Sequence, residues 1–211
     1  MRRLKMIFLG LGCIAALCLT SCIKDDDSDS SSGLSKAEIT RCYNAVLGDY
    51  YGKLVYPATN PENYHDGLDT LDVQWTVNAD TTLFVKGFPA SAVVEQLRDT
   101  ELKKALQEQS TLQNTKCQMV FTSLQNSYVQ FALGAEKIAF PISYKDADHT
   151  LNVYFWADGS SFGEKDITSG DMIVRLVMGG AYLDDDTKTN LFTGNNYDAI
   201  SVPIFLTTAL K

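Results

Sequence analysis

The chain has only two histidines, His65 and His149, and five cysteines in 211 residues. No HExxH and no CxxC occurs, so the paired ligand spacings of a zinc site are missing. Both histidines lie in turn-rich surroundings, Asn63-Tyr64-His65-Asp66-Gly67 and Asp146-Ala147-Asp148-His149, and read as solvated turn residues. Basic residues are also scarce: 18 Lys and Arg face 26 Asp and Glu, a formal charge of −8. That balance excludes a nucleic-acid partner, which needs basic patches to displace counterions. It equally excludes a broad electrostatic grip on anionic lipid. The longest uncharged apolar run, Met6 to Leu19, falls short of the roughly 20 residues that a spanning helix requires. No catalytic residue, metal or cofactor emerges from these counts.

What the first thirty residues do contain is an address. Arg2, Arg3 and Lys5 precede the apolar run, and Leu19-Thr20-Ser21-Cys22 closes it. A charged start, a short apolar stretch and small residues before a cleavage point make a signal peptide over residues 1–21. The closing tetrapeptide resembles the lipobox of bacterial lipoproteins, which implies a lipid attached to Cys22 and a membrane held through that anchor. Loss of the three basic residues with the signal takes the formal charge to −11. Residues 22–34 follow as an acidic, serine-rich tether with too little apolar surface to offset its ordering entropy. Lys24-Asp25-Asp26-Asp27 resembles the export signal of Bacteroidetes surface lipoproteins, and Ile23 in place of Asp fits outer- rather than inner-membrane delivery. The resemblance implies display on the cell surface, with a periplasm-facing lipoprotein as the alternative.

Residues 35–211 are long enough for one domain with its own core, and no low-complexity linker divides them. Ser35-Lys36-Ala37-Glu38 spells a capping box, and Ile39, Cys42, Tyr43, Val46 and Leu47 follow at helical spacing up to Gly48. Asp49–Tyr56 reads as a strand. Leu71–Val77 and Thr82–Lys86 alternate around the turn Asn78-Ala79-Asp80 and read as a hairpin. Pro89 opens a helical stretch to about Gln109 with a break at Asp99-Thr100. Strands then dominate: 117–124, 128–133, 138–144, 151–156, 171–182 and 200–206. Pro141 and Pro203 interrupt two of them and belong at edges or bulges, since proline cannot donate to a ladder. Gly179-Gly180 marks a bulge or a bend. The fold class is α+β with a β majority: an antiparallel sheet or partly closed barrel, one N-terminal helix, and one or two helices near residues 89–109. The pattern, with Val46-Leu47-Gly48-Asp49-Tyr50-Tyr51-Gly52-Lys53-Leu54 and Ile138-Ala139-Phe140-Pro141-Ile142, resembles small secreted lipoproteins of unknown function from gut Bacteroidetes. That resemblance brings no catalytic residues.

Cys13 and Cys18 leave with the signal. Cys42 and Cys117 lie in apolar patterns and read as buried thiols, with one disulfide as the alternative in an oxidising compartment. Asp184-Asp185-Asp186 with Asn190 matches no EF-hand spacing and reads as an exposed hairpin loop. Asp158–Gly163 is glycine-rich but lacks a phosphate-binding Lys and precedes no helix, so it reads as a loop. Aromatics leave the most room for function. Asn152, Tyr154 and Trp156 share one strand face, opposite Leu151, Val153 and Phe155. Exposed, they make a stacking platform for a glycan; covered by a helix, they are a second buried layer. The composition therefore points to a non-enzymatic binding or interaction module, for glycan or protein. A small glycan-active hydrolase and a structural subunit of an outer-membrane assembly are the alternatives.

Overall fold

A computed structural model of the chain describes residues 33–58, 64, 66–109, 112–192 and 201–209. The signal segment, Cys22, the export tetrapeptide Lys24-Asp25-Asp26-Asp27 and His65 lie outside those residues. Helix α1 (Lys36–Val46) begins at the predicted capping box: Ser35 Oγ accepts the Glu38 amide, and the Glu38 carboxylate accepts the Ser35 amide at 2.8 Å. It buries Cys42 and Val46 and leads directly into β1 (Gly48–Pro57).

Nine further strands follow: β2 (Leu68–Val77), β3 (Thr82–Pro89), β4 (Leu112–Leu124), β5 (Tyr128–Ala135), β6 (Ile138–Tyr144), β7 (Ala147–Phe155), β8 (Phe162–Asp166), β9 (Met172–Leu183) and β10 (Val202–Thr207). All pairings are antiparallel. The order β10-β1-β2-β3-β4-β5-β8-β9 returns to β10 through a second β9–β10 pairing, which closes an eight-stranded barrel. The sheet is thus more fully closed than the sequence pattern required. β7 pairs the far half of β9, and β6 pairs β7, so these two strands extend the wall beyond the barrel. Between β3 and β4 the chain forms α2 (Ser91–Val94) and α3 (Thr100–Gln109). Asp99 separates them and caps α3, accepting the amides of Glu101 (2.9 Å) and Leu102 (3.0 Å). Its other oxygen accepts Tyr144 Oη at 2.7 Å, which ties α3 to β6.

Period-2 alternation fills the barrel. Leu54, Val73, Trp75, Val85, Cys117, Phe131, Val174, Leu176 and Leu206 are all buried in one continuous core, whereas Lys53, Asp72, Gln74, Lys86 and Glu164 face outward. A lipid-embedded barrel shows the opposite arrangement. At the α1 end, Tyr50 stacks on Trp75 (5.6 Å, 11°) and Lys165 Nζ lies 4.7 Å from the Tyr50 ring. The Trp75 indole N–H donates to Met172 Sδ at 3.3 Å, so the largest inner side chain leaves no orphan donor. Burial pushes the Tyr50 phenol up to about 12.

The special residues behave as their chemistry demands. Pro141 is on β6, the outer edge of the extension, and Pro203 lies where β10 has run past its pairing with β1. Gly179 is the extra residue of a bulge, with Tyr154 opposite Gly180 and Phe155 opposite Met178. Cys42 and Cys117 are free and fully buried, not bridged. Two sequence expectations need correction. Asp158–Gly163 is only partly loop, because Phe162 starts β8 and Gly163 packs against the Phe131 ring. His149 is not in a turn: the turn is Lys145-Asp146, both at positive φ, and His149 sits inside β7 opposite Ile142.

Candidate functional site

On the face carrying Asn152, Tyr154 and Trp156, Asn152 is buried while both rings stay partly exposed. Asn152 is 3% exposed and its amide donates to the Asp184 carbonyl at 2.8 Å. Tyr154 meets the buried Tyr182 edge-to-face at 5.6 Å, with Lys137 Nζ 5.9 Å from its ring. Trp156 lies on Gly179 so closely that a Cβ there would come within 2.8 Å of the indole. Asn190 fills the same role over Gly180; its side chain donates to the Gly179 carbonyl and accepts the Ala181 amide. The 184–192 segment folds back over Asn152 and the Gly179–Ala181 backbone and leaves Tyr154 and Trp156 partly exposed. Asp184 and Asn190 serve this packing as side-chain and backbone acceptors.

A polar groove at the β6–β7 hairpin collects Ser143, Asp148, His149, Thr150 and Asp184. His149 Nδ1 donates to Asp184 Oδ2 at 2.7 Å, and the Thr150 amide donates to Asp184 Oδ1 at 2.8 Å; these two bonds hold the Asp184 carboxyl below the usual range. Ser143 Oγ donates to Asp148 instead (3.0 Å). Ser143 pairs with Asp148 and Ile142 with His149, so serine and histidine fall on opposite faces of adjacent ladder rungs. No nucleophile is handed to this base. The expectation that the sequence holds no G-x-S-x-G spacing needs correction, since Gly159-Ser160-Ser161-Phe162-Gly163 has it. It links strand to strand, and Ser161 is fully buried, donating to the Trp156 carbonyl and accepting the Val177 amide. Its hydroxyl is spent on the fold. Among the described residues, no group of three or more His, Cys, Asp or Glu is placed to hold a metal.

The outer wall of β1–β4 offers different chemistry. A groove of about 640 Å³ is lined by Tyr51, Lys53, Asp72, Gln74, Lys86 and Leu112, among others. Register places Tyr51 opposite Gln74 and Gln74 opposite Lys86. A bulge at Gly87, which adopts φ +72°, then sets Asn114 beside Lys86, and Asn114 Oδ1 accepts the Gly87 amide at 3.0 Å. The row Tyr51, Gln74, Lys86, Asn114 thus crosses four strands at about 4.8 Å spacing. Tyr51 is 68% exposed, and Leu112, at the β4 end, is 66% exposed. Lys53 is paired with Asp72 at 2.7 Å. Gly52 keeps the wall tight here, since a Cβ would run into the Thr207 carbonyl oxygen. A third exposed region, over β8 and β9, shows Phe162 and Ile173, but Arg175 lies 5.8 Å from the Phe162 ring and breaks the apolar area.

Tyr51 lies in the Val46–Leu54 segment that carries the lipoprotein resemblance, with no site role read from it. Its partners Gln74, Lys86 and Asn114 carry no motif, because only strand register unites them. The profile of a family described as Domain of unknown function (DUF4840) matches residues 45–183, which include the whole row. No curated protein and no solved structure matches the chain. The match stops before β10, the strand that closes the barrel. With more than half of its length matched, the chain belongs to the DUF4840 family of domains of unknown function.

Proposed function

We propose that this protein is a lipid-anchored, surface-displayed outer-membrane module that binds a saccharide on the β1–β4 wall and performs no chemistry on it. The carrying observation is Tyr51, a ring left 68% exposed on a rigid strand with an amide and an ammonium aligned beside it. A sugar presents an apolar ring face together with many hydroxyls, and an aromatic flanked by hydrogen-bonding side chains matches both properties. Sites built on strands hold their geometry better than sites on loops. The address follows from the lipobox at Cys22 and the tether Lys24-Asp25-Asp26-Asp27, which would hold the domain clear of the membrane.

A hydrolase reading would need a carboxyl group held high as a proton donor near a second carboxylate. The shifted carboxylates of the described domain, among them Asp99, Asp158 and Asp184, are all held low by hydrogen bonds. That favours binding over turnover. A glycan array probed with the full chain in detergent tests the proposal. Retained ligands with wild type and their loss with Tyr51→Ala support it; identical profiles for the two proteins overturn it.

A further inference from the structure

Charge is unevenly matched along the Tyr51 groove. Lys53 is neutralised by Asp72 at 2.7 Å. Asn114 is uncharged and partly engaged by the Gly87 amide. Lys86 is exposed, and no carboxylate among the lining residues is left over to pair with it. Among the described residues, the groove thus carries one uncompensated positive charge, two strand spacings (about 10 Å) from the exposed ring of Tyr51. This stands out in a chain with a formal charge of −8, whose surface otherwise repels anions.

From this juxtaposition, and resting on the saccharide-binding reading above, we propose that the groove takes an acidic saccharide of the uronic-acid class. One sugar ring stacks on Tyr51, Gln74 bridges its hydroxyls through both amide donor and carbonyl acceptor, and the carboxylate of a neighbouring sugar pairs with Lys86. The bulge at Gly87 supports the arrangement. It turns the wall beside Lys86, with the Asn114 side chain drawn onto the Gly87 amide and Leu112 packed next to Gly87 as an apolar border. A neutral glycan finds the same ring and amide but leaves Lys86 unused. The ion pair is surface-exposed, so it discriminates modestly and weakens with salt.

The test uses oligogalacturonate and its fully methyl-esterified form, which share their ring faces but differ in charge. Both are titrated calorimetrically into the full chain in detergent at low and high salt. The expected result is a preference of roughly 2- to 5-fold for the acid at low salt, the scale of one exposed ion pair. High salt erases the preference, and so does Lys86→Gln, which brings the affinity for the acid down to that for the ester. Lys86→Arg keeps it. Equal affinity for the two forms, or a preference that survives Lys86→Gln, overturns the acidic-ligand inference while saccharide binding stands. Binding that is indifferent to Tyr51→Ala overturns the groove reading itself, and failure to bind either form overturns the inference.

Discussion

Gly163 offers the sharpest quantitative check on the barrel. It pairs with Phe131 across β5 and β8, and a Cβ added there would overlap the edge of the Phe131 ring. Phe131 is fully buried and packs edge-to-face on Phe121 at 6.3 Å, so its ring has little room to retreat. Gly163→Ala therefore over-packs the core, at a cost of about 1–3 kcal/mol. Alanine recovers some of this, because glycine inside a strand costs about 0.5–1 kcal/mol relative to alanine. The clash wins, leaving a net loss of about 1–2 kcal/mol, or a few degrees in Tm for a domain of this size. Phe131→Leu removes the ring edge and should relieve the clash. Denaturant midpoints of the two single variants and the double variant measure that coupling, expected at roughly 0.5–3 kcal/mol in the favourable direction. A Gly163→Ala protein as stable as wild type, or strictly additive effects, would refute the packing described for this wall.

Other expectations follow from single contacts. The carboxyls of Asp99 and Asp184 are held low in the fold, so their contribution is complete above the ordinary carboxylate range and is lost as pH falls below about 4. Asp99→Asn keeps a competent helix cap but removes the charge; it should flatten the acid-side fall in the denaturant midpoint, and an unchanged slope counts against the assignment. Burial pushes the Cys117 thiol up to about 12, and Cys42 is equally enclosed. Peptide mapping after thiol labelling should find both modified only once the chain unfolds; labelling of either in the native protein contradicts that burial. On the proposed anchor, Cys22→Ala should move the protein from the detergent to the aqueous phase on phase separation, and retention with detergent refutes attachment at Cys22.

Local signals carried most of the fold. The capping box at Ser35, the alternation of Ile138–Tyr144, the prolines at strand edges and the Gly179 bulge each act within a few residues, and each appears where its chemistry requires. Full closure did not show, since it depends on β10 pairing not only with the preceding β9 but also with β1, at the other end of the domain. β8 escaped because five residues beginning in a glycine-rich stretch give too short an alternation to recognise. The candidate site was the least visible part. Asn152, Tyr154 and Trp156 alternate along the chain, but the segment that buries Asn152 begins some thirty residues later, at Asp184. Conversely, Tyr51, Gln74, Lys86 and Asn114 are individually unremarkable surface residues. Strand register alone makes them a row.

The central claim is that Tyr51 is a ligand-facing ring and not part of the core. One titration decides it: the saccharide retained on the array is measured against wild type and Tyr51→Ala, with the denaturant midpoint recorded for both. Binding should be lost in Tyr51→Ala while stability stays within about 0.5 kcal/mol, as for an exposed side chain away from any packing feature. Binding undiminished in Tyr51→Ala would contradict it.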